Sequence, residues 1–509
     1  MRSARALPCS VMTQPLHVSP LEPPDDDLRG LLPDKVPYQS RVFVNRTLRL
    51  DQIRVVGFDM DYTLAQYGVA LEHLQSRMTL ERLVGVHGYP PEVGEIAYDP
   101  SFPMRGTVID KARGHIFKMD AHKHVERVVH GTRRLPKEER HRAYRRGVIR
   151  AGHGRYALMD TLFALPEVFL YARIVELQES RAPSGRLSAA GYRKIYDDIR
   201  ESIDCVHRDG SLKAIIMADL DRYVEQDPHL VATLEAFLVA DKRLFLLTNS
   251  GWEYTDAVMR HLLDGRHPRR PSWRDWFEVV VVAASKPGFF SARHPFRAGP
   301  SGEVATEARF KPGVVYEGGN IRDFERMLGD GGDGVLYVGD HIYGDMLRSK
   351  KACAWRTAMI VPELEHELRM LSNARLDILA RDRLEAERVA LDDELAYTLR
   401  AIGRLRTGNG STEGALHAEE ARAEGIQAAI RANLVQTRGL ERAIEGRFNP
   451  TWGMLLKANA EHSVFGSQVE TYACVYTSRV SNFRNYTPVQ YFRTPRDLLP
   501  HERFEYFGM

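Results

Sequence analysis

Residues 53–64 read IRVVGFDMDYTL, an apolar run that stops at two aspartates two positions apart, Asp59 and Asp61, with Thr63 just beyond. Consecutive rather than alternate apolar residues mark a strand buried on both faces, the signature of a parallel sheet. Three further runs have the same character: RLFLLT (243–248), VVVVAA (279–284) and GVLYVG (334–339). Segments of helical periodicity separate them, so the fold class is α/β, a parallel sheet with crossover helices. In such open sheets ligands bind beyond the carboxyl ends of the strands, which makes the residues after these four runs the ones to inspect.

Each strand end carries a different chemical group. The acid pair Asp59 and Asp61 can divide the roles of nucleophile and proton donor: one carboxylate attacks phosphorus, the other protonates the leaving oxygen and later deprotonates water. The second run ends in TNS, which supplies the hydroxyl of Thr248, the amide of Asn249, Ser250 and backbone N–H groups near a helix start, all suited to a phosphate. After the third run, Lys286 in SKPGFF offers a fixed positive charge for phosphoryl oxygens. The fourth ends in GDHIYGD, where Asp340 and Asp345 are spaced to approach a hard cation such as Mg²⁺. Taken singly, each has a bland counterpart, a helix cap or a solvated side chain. Together, acid pair, hydroxyl, lysine and acid pair form the full requirement for metal-assisted phosphoryl transfer.

This order resembles the haloacid dehalogenase superfamily. Further stretches, including SRVFVNRTL (40–48), AYDPSFPMRG (97–106), LFALPE (162–167), VHRDGSLK (206–213) and WRTAMIVPELEHEL (355–368), are similar to the IMP- and GMP-preferring cytosolic purine 5′-nucleotidases. The resemblance spans roughly residues 40–370, with weaker echoes in FGSQV (465–469) and LLPHE (498–502). It implies a haloacid dehalogenase-like Rossmannoid core with an inserted cap domain. It also implies Asp59 as nucleophile, Asp61 as acid/base, and Mg²⁺ among Asp59, the main-chain carbonyl of Asp61 and Asp340, supported by Asp345. Thr248 and Lys286 join the catalytic set, and Thr63, Asn249 and Ser250 bind the phosphate. Base and sugar contacts fall on Phe163, Arg200, Asp204, His207 and Lys213. Arg200, Asp204 and His207 lie at i, i+4 and i+7, one face of a helix that Gly210 ends. Ala164 stands where the family carries Asn, a departure at the base pocket. A nucleotide effector site would use Arg150, Tyr343 and Lys351, with Asp160 where an amide is expected.

The expected reaction is hydrolysis of nucleoside 5′-monophosphates through an aspartyl phosphate. Its alternatives are nucleoside phosphotransfer through the same intermediate, or a catalytically silent nucleotide-binding scaffold. With 509 residues, the chain has room for about three domains of ~150 residues. Residues 59–242 separate the first run from the second, too many for one crossover, so an inserted cap is expected at 115–213 between core parts 37–114 and 214–362. Residues 363–509 are expected to hold a helical hairpin and tail: Leu384, Leu391, Leu395, Ile402 and Leu405 keep a heptad-like spacing before the turn TGNGSTEG at 407–414. A homo-oligomer built on that seam is the expected assembly. The Pro- and Asp-rich segment 1–36 is expected to be disordered, with Met12 a possible start.

Seventy-one Lys and Arg against 68 Asp and Glu give a net charge of +3. That is too near neutrality for a protein devoted to nucleic-acid polymers or anionic membranes. Four cysteines without CxxC or zinc-like spacing point to a reducing compartment, and the absence of a long apolar run or signal peptide makes the cytoplasm the expected location. HKH at 122–124 reads as an exposed loop, and GDGGDG at 329–334, which precedes its strand, as a turn.

Overall fold

The computed structural model describes residues 36–145, 149, 154–299, 302–407, 413–494 and 502. Residues 1–35 of the segment 1–36 expected to be disordered and most of LLPHE lie outside them, as do Arg150 and the side chain of Lys351. The centre is a ten-stranded sheet in which seven adjacent strands are parallel. Their order is Val475–Thr477, Arg356–Ile360, Val335–Gly339, Val55–Phe58, Arg243–Leu247, Val279–Val282 and Val315–Gly318. The four runs read from the sequence are the four central strands, buried almost throughout, as continuous apolar runs require. The first of them is flanked by the second on one side and the fourth on the other, so the strand order reverses around it. That reversal opens a crevice at the carboxyl ends where Asp59 emerges.

Gly57 sets the packing under this crevice. Its register partners on the two neighbouring strands are Phe245 and Tyr337, whose rings stack 6.1 Å apart at 9°. A methyl group at Gly57 would sit 2.0 Å from Cζ of Phe245. Only a residue without a side chain lets the two rings close over the strand, and the Tyr337 ring placed there carries its phenol into the site.

Outside this sheet, Val108–Asp110, His115–Met119, Val125–His130, Arg133–Arg134 and Tyr156–Leu158 form a separate five-stranded antiparallel sheet. It begins at Val108, ahead of residue 115, because the Val108–Asp110 strand pairs with both His115–Met119 and Tyr156–Leu158. The helices Val69–Gly85, Leu165–Arg181 and Ala189–Arg208 bury apolar residues together, among them Leu80, Val168, Ile199 and Ile203. Two 33-residue helices, Arg375–Thr407 and Glu413–Glu445, flank the expected turn. Ile402 of the predicted seam is buried and Leu384, Leu391, Leu395 and Leu405 are half-buried, while Ala423, Ile426 and Ile444 are buried on the second helix. Asn433 of the second helix donates to the Leu384 carbonyl of the first at 2.9 Å, fixing their register.

The chain after the hairpin does more than form a tail. Val475–Thr477 returns to the central sheet, parallel to Arg356–Ile360 and antiparallel to Phe43–Val44. His122 and His124 are exposed and face Glu461 and Asp120, and GDGGDG closes one helix and forms a short 3-10 turn before its strand. Among the described residues no helix is long and apolar enough to cross a membrane.

Replacing Gly57 with Ala should destabilise the fold by about 1–3 kcal/mol, the usual cost of overpacking a filled core. Chemical denaturation measures it. An unchanged unfolding midpoint would contradict the close approach of Phe245 to this strand.

Candidate active site

Asp59 leaves the sheet one residue past its strand, its N–H held by the Val338 carbonyl of the neighbouring strand at 2.9 Å. That pairing brings the first and fourth strand ends together. Ligand oxygens of Asp59, Asp340 and Asp345 all lie within 4.8 Å of one another, and all three residues are buried. Asp345 is admitted because Gly339 has no side chain: a methyl group there would meet Asp345 Cγ at 2.6 Å. The helix that follows is not capped by Asp340. His341 takes that task, its Nδ1 accepting from the N–H groups of Tyr343 and Gly344 at 3.1 and 2.9 Å. The Asp340 carboxylate is thereby left to the cluster.

Lys286 is the cation of this site. Its ammonium lies 2.9 Å from Asp59 and 2.7 Å from Asp345, and donates to the Tyr337 hydroxyl at 2.9 Å. Tyr337 in turn donates to the Leu247 carbonyl at 3.0 Å, tying the ring to the second strand. Burial alone would depress the lysine, but the carboxylates of Asp345 and Asp59 outweigh it and hold the ammonium well above its ordinary range. For the acids the balance is reversed. Burial, with Asp345 and Asp61 adding and Lys286 opposing, lifts the Asp59 carboxyl to about 7. Burial, then Asp345 and Asp59, pushes Asp340 well above the carboxylate range. One ammonium does not neutralise three crowded carboxylates.

Asp61 points elsewhere. Ser250 donates to its Oδ2 at 2.8 Å and Tyr67 to its Oδ1, so its side chain stands apart from the three-acid cluster. Thr63 is buried and its hydroxyl has no hydrogen-bond partner among the described residues, leaving a polar group of the Asp59 loop for a ligand to engage. The helix after TNS, Trp252–Leu263, starts from Gly251 without a side-chain cap, so neither Thr248 nor Asn249 serves as one. The Thr248 hydroxyl accepts from the Ser250 N–H at 3.1 Å. The Asn249 amide, expected to contact a phosphate, is engaged with the lysine loop through its oxygen and one of its two N–H groups. Its Oδ1 accepts from Lys286 N at 2.6 Å and its Nδ2 donates to Lys286 O at 3.0 Å. It therefore aims the lysine.

Of the residues expected to contact a base, Phe163 and His207 are neighbours, and Arg200 and Asp204 pair with each other. The Phe163 ring meets Tyr62 at 4.8 Å and His207 at 5.3 Å, both edge to face. Burial, helped by Lys213, pushes His207 down to about 4, so it is neutral, with its Nε2 2.7 Å from the Gln75 amide. Arg200 pairs with Asp204 at 2.9 Å, as the helical spacing suggests, and also with Glu167 at 2.6 Å. Glu167 is almost wholly buried, and burial lifts its carboxyl to about 7. Lys213 lies over the Tyr254 ring, 5.1 Å from its centre. Of the expected effector residues, Tyr343 is partly exposed and its hydroxyl accepts from Gln468 at 3.3 Å.

Glu167, Tyr67 and Arg105 were not singled out from the sequence, although all lie within or beside the quoted stretches. Arg105 is fully buried, forks onto Glu363 at 3.0 and 2.6 Å, stacks on Phe465 and donates to the Asp340 main-chain carbonyl at 3.0 Å. A buried arginine in a sequence run signals some buried partner, but which partner depends on residues more than two hundred positions away.

A model of the 5′ nucleotidase family matches residues 42–504. A 5′-nucleotidase domain-containing protein of Dictyostelium discoideum is 29% identical over 470 residues, covering 91% of this chain and 74% of that protein. The human 5′-nucleotidase domain-containing protein 2 is 32% identical over 369 residues, 69% of each chain. Among solved structures, a predicted phosphoglycolate phosphatase from Haemophilus somnus matches at 12% identity and a TM-score of 0.26, over 61% of this chain and 86% of that one. A 2-haloacid dehalogenase from Pseudomonas syringae matches at 15% and 0.20, over 61% and 87%. The core is an open, mostly parallel α/β sheet whose strand order reverses at the first central strand, and the chain belongs to the 5′-nucleotidase family.

Proposed function

We propose that this protein is a Mg²⁺-dependent phosphomonoester hydrolase acting on nucleoside 5′-monophosphates, with 6-oxopurine nucleotides such as IMP and GMP preferred. The observation that carries the reading is the buried contact of Asp59 with Lys286 inside the acid cluster of Asp340 and Asp345. A nucleophilic carboxylate beside a fixed cation is what attack on a phosphate dianion needs, since the ammonium offsets charge on both partners.

The donor set fits a hard divalent cation. It consists of oxygen atoms only, from Asp59, Asp340 and Asp345, and the three acids exceed their single ammonium in charge. Bound there, Mg²⁺ would supply Lewis-acid stabilisation of phosphoryl oxygens. The rest falls to the chain. Asp59 attacks phosphorus, Asp61 gives a proton to the departing 5′-oxygen, and Lys286 and the free Thr63 hydroxyl bind the phosphoryl oxygens. Asp61, now a carboxylate, removes a proton from the water that cleaves the aspartyl phosphate. The region around the antiparallel sheet and its helices serves as a cap, and Phe163 offers a face on which a base stacks. Arg200, Asp204, His207, Lys213 and Glu167 provide the polar edge, while Ala164 contributes no hydrogen bond to it.

A base stacked on Phe163 gains an aromatic contact that a simple phosphomonoester lacks, so nucleotides should exceed sugar phosphates by at least about tenfold in kcat/KM. A phosphate-release screen over nucleotides, sugar phosphates and phosphoserine measures this, and Ala164→Asn should sharpen selection for IMP and GMP. Equal turnover of sugar phosphates and IMP would remove the nucleotidase assignment and leave the phosphatase chemistry.

Asp59 holds a proton to about pH 7 in the metal-free fold, against an ordinary value of 3.8. Between those limits the folded chain binds a proton there that the unfolded chain has lost. This group therefore lowers the stability of the metal-free protein as pH rises through the window. Mg²⁺ competes with that proton. The rise in melting temperature on adding Mg²⁺ should thus grow from pH 5 to pH 8, and Asp340→Asn should diminish it. A Mg²⁺ effect independent of pH, or none, would contradict the assigned ligands.

A further inference from the structure

The side chain of Asp61 takes one hydroxyl on each oxygen, Ser250 on Oδ2 at 2.8 Å and Tyr67 on Oδ1. The Tyr67 hydroxyl also lies 3.0 Å from that of Tyr254. A phenol has a single hydrogen, and that of Tyr67 is directed to the carboxylate, so Tyr254 must be the donor in the second bond. The result is a directional chain, Tyr254 to Tyr67 to Asp61, whose members sit on three different elements. Tyr67 lies on a two-residue strand paired with Val224–Glu225, and Tyr254 in the first turn of the helix that follows TNS. The Tyr67 ring also packs on Tyr62 at 5.1 Å and on Phe163 at 6.3 Å. Lys213 lies over the Tyr254 ring.

We propose that Tyr67 is a positioning residue for proton transfer: its hydroxyl, backed by Tyr254, fixes the Asp61 carboxyl so that its transferable proton faces the leaving oxygen. This rests on the phosphatase reading above and assigns a task to residues that reading does not use. In the first step the bond from phosphorus to the 5′-oxygen breaks, a bond from phosphorus to an Asp59 oxygen forms, and the Asp61 proton passes to the 5′-oxygen. In the second, a water oxygen bonds to phosphorus, the Asp59 oxygen leaves, and the water proton returns to Asp61. A carboxyl free to rotate would offer its proton in the wrong direction for much of the time. With Ser250 and Tyr67 each occupying one lone pair, rotation requires breaking both bonds. Because the Tyr67 ring also touches Phe163, the aromatic wall expected to carry the base and the phenol that aims the acid form one packed body. A nucleotide seated on that wall is thus held in fixed relation to the proton donor.

The leaving group separates this role from a merely structural one. A nucleoside 5′-oxygen departs as a strongly basic alkoxide and needs the proton, whereas p-nitrophenolate departs without one. Tyr67→Phe keeps the ring and its packing and removes only the hydroxyl. It should lower kcat for a nucleoside monophosphate by about 10- to 100-fold, part of the ~10²–10⁴ that a placed acid/base contributes, with KM changed by less than about threefold. The rate of the first p-nitrophenolate burst from p-nitrophenyl phosphate should stay within about threefold of wild type. Tyr254→Phe, which leaves the Tyr67 bond to Asp61 intact, should shift the nucleotide rate in the same direction by about 2- to 10-fold, and it carries the test should Tyr67→Phe fail to fold. Equal losses on both substrates, a change confined to KM, or no change would overturn the assignment to Tyr67. A wild-type protein that hydrolyses neither substrate would remove the phosphatase reading, and this role with it.

Discussion

The ammonium of Lys286, buried and in contact with Asp59, Asp345 and the Tyr337 phenol, is the interaction on which the rest of the site depends. A charge withdrawn from water at this depth is tolerable only with close opposite charge and saturated hydrogen bonds, and removing one partner of such a set typically costs about 3–5 kcal/mol. The site answers with more negative charge than one ammonium can balance. Burial first, and the neighbouring carboxylates after it, raise the Asp59 and Asp340 carboxyls, and the all-oxygen cluster is suited to a divalent cation. In the proposed reaction, affinity for the cation and reactivity toward phosphate have one electrostatic origin.

Two glycines and one amide make the arrangement possible. Gly57 lets Phe245 and Tyr337 stack across the first strand, which delivers the phenol to Lys286. Gly339 leaves space for Asp345. Asn249 grips the backbone of Lys286 from both sides. On the opposite flank the buried Arg105 ties the Asp340 carbonyl to Glu363 and stacks on Phe465, joining the fourth strand end to the chain near residue 465. Apart from that of Gly339 with Asp345, each contact joins segments distant in sequence, so the crevice is assembled by the sheet and not by any one loop.

That dependence explains what the sequence reveals and what it hides. The four central strands are legible because burial on both faces leaves a continuous apolar mark on each, and the chemistry is legible because it sits directly after those marks. Asp59, Lys286, Asp340 and Asp345 are brought together as the strand ends suggest. The Val475–Thr477 strand is hidden, since three residues carry no periodicity and its pairing with Arg356–Ile360 is settled only by the tertiary fold. The hold of the Asn249 amide on the lysine loop is hidden too, because its partner lies 37 residues away in the sequence. Glu167, Tyr67 and Arg105 are ordinary letters within family-like stretches, and their importance comes from partners that spacing cannot supply. His341 shows the reverse case, a residue between two acids that takes the capping task and so leaves Asp340 to the cluster.

The proposed reaction is covalent, with Asp59 carrying the phosphoryl group. Mixing the Mg²⁺-loaded protein with a nucleoside monophosphate labelled in its phosphate, quenching in acid within the first turnover and mapping the label by mass spectrometry tests it most directly. The account predicts a hydroxylamine-sensitive phosphoryl group on the peptide containing Asp59, absent from Asp59→Asn, which should retain nucleotide binding. Phosphate released at the wild-type rate by Asp59→Asn, or label on any other residue, would contradict it.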